Sequence, residues 1–294
     1  MSLPRMIVPG RTYLLTRRCS ERRLFLRPSK VITQIVEFCL AMAAQRTGVR
    51  IHAHGFLSNH FHIVATDVEG RLPEFMHWLD TYIAKCVNAK LGRWESFWAP
   101  GSYSQVRLVD QPALIGELVY TFTNPVESGL VRTAKEWPGA LSCPADWERP
   151  ARVVERPVGF FRENGPVPKT ATLSLCAPDS LELTVKEMET LVAEREAELR
   201  RDAKAKGLGF MGARRILKQS PFSRPKTSEE RRKLNPRVAC RDKWRRIEAL
   251  QRLTNWTASY RDALAAFMAG DRSVRFPYGT YAMRIRFGVL CNGP

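Results

Sequence analysis

The chain has 294 residues, of which 44% are hydrophobic, enough to bury a core and to set disorder aside. Its 47 Lys and Arg against 29 Asp and Glu leave a formal charge of +18, more than solubility needs, and a polyanion is the partner class that such a balance attracts through counterion release. The seven cysteines are scattered without a C-x-x-C pair, which excludes a zinc ribbon or a disulfide framework, and no stretch approaches the roughly 20 apolar residues of a membrane span. The first ten residues lack the apolar run of a signal peptide, so a cytoplasmic location is expected.

In chain order, residues 11–18 (Arg-Thr-Tyr-Leu-Leu-Thr-Arg-Arg) read as a first strand. Residues 28–46 place Val31, Ile32, Ile35, Val36, Cys39, Leu40 and Ala43 on one helical face. Residues 50–66 read as a hairpin turning at Ser58-Asn59, and residues 72–91 as a second amphipathic helix ended by Gly92. A strand over 104–109 follows. Then comes a helix capped by Asp110, with Pro112 in its first turn, ending near Asn124 because Pro125 disfavours a helical residue before it. The order β-α-β-β-α-β-α predicts an α+β fold with an antiparallel sheet covered by helices on one face.

Composition changes after residue 150. Residues 151–180 are rich in Pro, Gly and Arg with one short strand, and read as a linker between a domain over 1–150 and a basic, mainly helical region over 181–294. In that region Thr184 and Glu187 form a capping-box pattern opening a helix to about Lys206. Helices over 211–219 and 238–268 flank an irregular stretch over 220–236. Arg214, Arg215, Lys218, Arg231, Arg232, Lys233, Arg241 and Lys243 belong to a dense cationic tract suited to gripping phosphates. The interleaved Trp244 and Trp256 are read as core residues of their helix.

Four residues carry chemistry. On the second hairpin strand His60 and His62 stand two apart, so both imidazoles share a face. A two-residue turn sets Gly55 opposite His62 and turns His52 and His54 to the other face, where they are structural. Tyr120 and Asn124 stand four apart and project from one side of their helix. Each pair alone is a weak signal, since two histidines on a strand are commonly plain hydrogen-bonded residues and a helical Tyr is commonly packing.

Together they carry a resemblance. Gly55-Phe56-Leu57-Ser58-Asn59-His60-Phe61-His62-Ile63-Val64 resembles the M-P-N-H-x-H segment of REP-associated tyrosine transposases, single-tyrosine enzymes with the HUH motif (His, hydrophobic residue, His). Tyr120-Thr121-Phe122-Thr123-Asn124-Pro125-Val126-Glu127-Ser128-Gly129-Leu130-Val131 is similar to their Y-I-H-x-N-P-V-R-A-G-L-V block. Tyr82, Asn88, Gly92, Phe97, Trp98 and Trp137 fall where that family has its connecting helix, loop and following Trp, so the similarity spans about residues 5–145. Ser58, Phe122 and Glu127 depart from the pattern, which normally has Pro, His and a basic residue there.

The resemblance implies a ferredoxin-like HUH nuclease domain. It implies Mg2+ or Mn2+ held by His60, His62 and Asn124, and attack by Tyr120 on single-stranded or hairpin DNA to give a 5'-phosphotyrosine that is later rejoined. A tyrosine suits that task because the phosphoester stores the bond energy for rejoining. Tyr82 and Tyr103 are rival nucleophiles in principle, and Tyr82 has no Asn four positions on and reads as a packing residue of its helix. The alternatives are a catalytically silent nucleic-acid-binding or regulatory protein on the same fold, or an unrelated metal-dependent hydrolase needing further ligands. Monomer and homodimer both remain open.

Overall fold

A computed structural model describes residues 4–225 and 236–294, so Arg231, Arg232 and Lys233 lie outside the described residues. The chain opens with β1 (Arg11–Arg18), α1 (Lys30–Thr47), β2 (Arg50–Phe56), β3 (His60–Asp67), α2 (Leu72–Leu91) and β4 (Ser104–Leu108). Next are α3 (Gln111–Glu127), β5 (Arg152–Glu155), β6 (Thr170–Leu173), α4 (Val185–Ala205) and α5 (Ala213–Lys218). Last come β7 (Val238–Ala239), α6 (Lys243–Met268) and α7 (Ala282–Phe287).

Helix starts follow from their caps: Ser29 accepts from the amide of Ile32, Asp110 from Ala113, and Thr184 and Glu187 cap each other reciprocally. The strands stand in the order β2-β3-β1-β4-β7, and the first four pair antiparallel. With α1 and α2 as crossovers this is the expected α+β, ferredoxin-like arrangement. Two details differ from expectation: β7 adds a parallel edge to β4, and the helices do not all lie on one face.

Alternation along the strands divides the core. Tyr13, Leu15, Phe61, Ile63 and Ala65 point to α1 and α2, where Ile35, Cys39, Phe75, Leu79 and Ile83 close the larger cluster. Leu14, Val64 and Val106 point the other way, onto Leu114, Leu118 and Phe122 of α3, with Met188 of α4 behind them. The third helix thus takes the face that β1, β3 and β4 leave uncovered, because its own apolar stripe matches that second set of residues.

Helix α3 runs past Asn124 to Glu127 with Pro125 inside it. Proline removes the donor that would bond the Thr121 carbonyl, and that carbonyl instead lies against Gly55 of β2, 3.3 Å from where a Cβ would stand. Residues 151–180, expected as a linker, carry the antiparallel pair β5 and β6, and their Val154, Val167, Ala171 and Leu173 join the core beside α1. The helix expected over 238–268 begins at Lys243, since Val238 and Ala239 pair with β4. Trp256 is buried and donates from Nε1 to the Tyr278 carbonyl, whereas Trp244, expected in the core, is 74% exposed.

Candidate active site

The β2–β3 hairpin turns at Ser58-Asn59, with the Leu57 amide bonded to the His60 carbonyl, and it sets Gly55 opposite His62 as the two-residue turn requires. His54 faces away from His62, level with Ile63. A bulge between Ile51 and Ala53 returns His52 to the His62 side, against expectation. There it bonds the Thr66 hydroxyl and the Cys176 carbonyl, each at 2.7 Å, toward the far end of β3. Burial holds His52 and His54 down to about 4, so both are neutral, buried structural groups.

His60 and His62 meet edge to face, with ring centroids 4.9 Å apart. Each has its Nδ1 engaged. His60 Nδ1 lies 2.6 Å from Asn59 Oδ1, which can only accept, so the proton sits on Nδ1 and Nε2 keeps its lone pair. His62 Nδ1 lies 2.9 Å from the Thr16 hydroxyl across the β1–β3 ladder. These bonds orient imidazoles in the way that outer partners of metal-binding histidines do. Burial is the main force lowering both histidines; for His60, held at about 4, the Arg18 charge on the paired strand adds to it, and for His62 the neighbouring His60 does. Both rings therefore offer lone pairs rather than protons at neutral pH.

The two helix residues arrive from α3. Gly55 is the position that permits it: a side chain there would meet Leu141 Cδ1 at 3.0 Å and the Thr121 carbonyl at 3.3 Å, so the helix backbone approaches the strand directly. Tyr120 then stands over His62, its hydroxyl 3.4 Å from Nε2 and the rings 5.0 Å apart, edge to face. Asn124 is 2% exposed and sits beside His60, whose charged form its Oδ1 favours as an acceptor, although no protein donor lies within full hydrogen-bond geometry of that oxygen. A buried amide oxygen without a partner costs about 1–3 kcal/mol, and a water, a donor group or a cation would satisfy it.

Among the described residues no three His, Cys, Asp or Glu side chains gather into a possible metal cluster. A cation here would thus take two imidazole nitrogens and the Asn124 amide oxygen, leaving positions for phosphate or water. That donor set is the one the sequence resemblance implied, and the orphaned Oδ1 fits it.

The remaining sequence-level residues divide clearly. Tyr82 stacks on Trp78 and Tyr103 lies under Arg5, both against the α1–α2 core and away from His62. Burial pushes the Tyr103 phenol up to about 12. Phe122 and Glu127 have local reasons for departing from the family pattern: Phe122 is buried against Trp147, and Glu127 pairs with Arg195 of α4 at 3.4 Å. Arg214, Arg215 and Lys218 are exposed on α5, and Arg215 lines an open cavity of about 560 Å³ with Gly129, Gly209, Phe210, Met211 and Gln219. Arg241 and Lys243 are exposed at the start of α6. Sequence reasoning missed Thr16, Arg18 and Asn59, since cross-strand register, which no local spacing encodes, brings the first two to the histidines.

No protein-family model matches the chain, and no curated protein matches it. Among solved structures it is similar to a REP-associated tyrosine transposase bound to a REP hairpin, with 19% identity and a TM-score of 0.40 over 57% of this chain and 93% of that one. It is also similar to a candidate transposase from Deinococcus radiodurans R1, with 17% identity and a TM-score of 0.29 over 36% of this chain and 85% of that one.

Proposed function

We propose that the chain is a transposase-like DNA endonuclease and strand transferase in which Tyr120 is the nucleophile. The observation that carries this reading is the placement of the Tyr120 hydroxyl 3.4 Å from His62 Nε2, on the helix that also carries the buried Asn124 one turn on.

His60, His62 and Asn124 would hold a divalent cation, which when bound supplies Lewis-acid polarisation of a phosphate oxygen. The mixed nitrogen and oxygen donors suit Mn2+ better than Mg2+, which prefers oxygen alone. Thr16 and Asn59 keep the two rings turned toward that point. Helix α3 delivers the phenol oxygen to the same point, so nucleophile and scissile phosphate are held in one place.

Attack by the Tyr120 oxygen forms a bond to phosphorus as the bond to the 3'-oxygen breaks. The phenol proton passes to solvent, the 3'-oxygen leaves as a hydroxyl, and the 5' phosphate stays on the tyrosine. Joining is the reverse reaction with a different 3'-hydroxyl, and needs no outside energy because the phosphodiester count is unchanged. The convergence of His60, His62, Tyr120 and Asn124 speaks against a catalytically silent DNA-binding role. The +18 charge and the exposed cations of α5 and α6 favour a DNA substrate, single-stranded or hairpin-forming.

The test is incubation of the full chain with end-labelled hairpin DNA carrying single-stranded flanks, in Mn2+, scored for a denaturant-resistant adduct. Tyr120→Phe is expected to abolish the adduct and leave binding intact. An adduct of undiminished yield in that variant overturns the assignment.

A further inference from the structure

The loop leading into α6 is pinned to the first turn of α3 by one carboxylate. Asp110 caps α3 through Oδ1, while its Oδ2 accepts from the Cys240 thiol at 2.9 Å, the Arg241 amide at 2.7 Å and the Asp242 amide at 2.8 Å. The carboxyl is held below its ordinary value: burial opposes ionisation, and these donors together outweigh it. A chain segment more than 100 residues downstream is thereby fixed against the helix that bears Tyr120.

The clip fixes the Arg241 backbone, from which the side chain reaches α3. Its Nη2 is 4.0 Å from where a Cβ would stand on Gly116, and burial leaves the half-buried Glu117 carboxyl raised, with the Arg241 charge offsetting part of that rise. Gly116 precedes Tyr120 by four residues, one helical turn, which puts the two positions roughly 5–6 Å apart on the same face. Arg241 is itself exposed, and Glu117 is the carboxylate on which its charge acts. An exposed guanidinium whose backbone is pinned beside the Gly116 turn of α3 can receive an anion there.

Resting on the reading of Tyr120 as nucleophile toward DNA, we propose that Arg241 grips a backbone phosphate of the strand presented to Tyr120, and that Asp110 is the positioning residue that sets it there. The ligand is a phosphodiester oxygen pair, recognised without regard to base.

The test needs binding alone, so that its failure can be told from failure of the nucleophile assignment. In the Tyr120→Phe background, single-stranded oligonucleotides with one neutral methylphosphonate at successive positions are titrated against the full chain, with Arg241 intact or as Arg241→Ala. One position is expected at which neutralisation weakens binding about tenfold with Arg241 present and less than twofold in Arg241→Ala. Arg241→Lys should restore part of that difference. If every position responds equally in both proteins, or if the chain does not bind the oligonucleotides, the proposal is overturned.

A second arm separates a phosphate contact from mere neutralisation of Glu117. If Glu117→Gln restores wild-type behaviour to Arg241→Ala, the arginine serves the carboxylate and the proposal fails. A clear methylphosphonate signal in a protein whose wild type makes no adduct would sustain Arg241 while removing Tyr120 as nucleophile.

Discussion

At the scale of a single residue, Asn124 is where the proposed metal site is most directly tested. Its amide oxygen is buried without a partner next to His60, so in the metal-free chain Asn124→Ala removes a group that is itself unsatisfied, and stability should change by no more than about 1 kcal/mol. With Mn2+ the two proteins should diverge. A ligand that binds only the folded state raises the melting temperature according to its concentration over Kd, so the native chain should gain stability with Mn2+ and Asn124→Ala should need at least about tenfold more metal for the same gain. Equal Mn2+-induced shifts in both proteins would remove Asn124 from the ligand set. At this scale the sequence was informative, because each pair lies on one element: period two aligns His60 with His62, and a spacing of four aligns Tyr120 with Asn124. Thr16 and Arg18 were not legible as partners, because they reach His62 and His60 only through the β1–β3 register.

Among elements, what matters is the seating of α3 on β2 and β3. Its apolar residues Leu114, Leu118 and Phe122 announce one buried face but not which side of the sheet receives it, and only the packing onto Leu14, Val64 and Val106 decides that. Pro125 was a misleading stop signal, since the carbonyl it leaves without a helical donor lies against Gly55. Gly55→Val should therefore push the helix off the strand: its methyl groups meet Leu141 and the Thr121 carbonyl where there is no room even for a Cβ without adjustment. A displacement of about 1 Å between nucleophile and phosphate costs on the order of a hundredfold in rate, so the adduct rate should fall by at least about tenfold while the chain still folds. Leu141→Ala in the same background should recover part of the rate, because the Leu141 end is the flexible half of the clash. Gly55→Val reacting at the native rate with an unchanged urea midpoint would mean that the close approach does not set the geometry.

Across the whole molecule, the sheet and its two crossover helices form one half of the site's frame, and the downstream region supplies the other. Met188 packs behind α3, Arg195 pairs with Glu127, and Asp110 holds the 240–242 turn. None of these contacts follows from periodicity, which is why the region after residue 150 reads as separate in sequence yet packs against α3 in space. The net charge of +18 was legible from the start, but its distribution was not. Arg214, Arg215 and Lys218 are exposed on α5, whose buried Ile216 packs with Val126 in the last turn of α3 and with Val131 just beyond it. A strand held at Tyr120 and leaving past the end of α3 would meet them next. Each phosphate contact to single-stranded DNA contributes about 0.7 to the slope of log affinity against log salt. Replacing all three cations by alanine should thus lower that slope by about 2, with little change in the adduct rate at saturating DNA. The measurement is a titration of labelled hairpin DNA with single-stranded flanks between low and physiological salt. An unchanged slope would move the DNA path off α5, whereas a lost adduct rate at saturation would show that these cations act at the chemistry rather than along the strand.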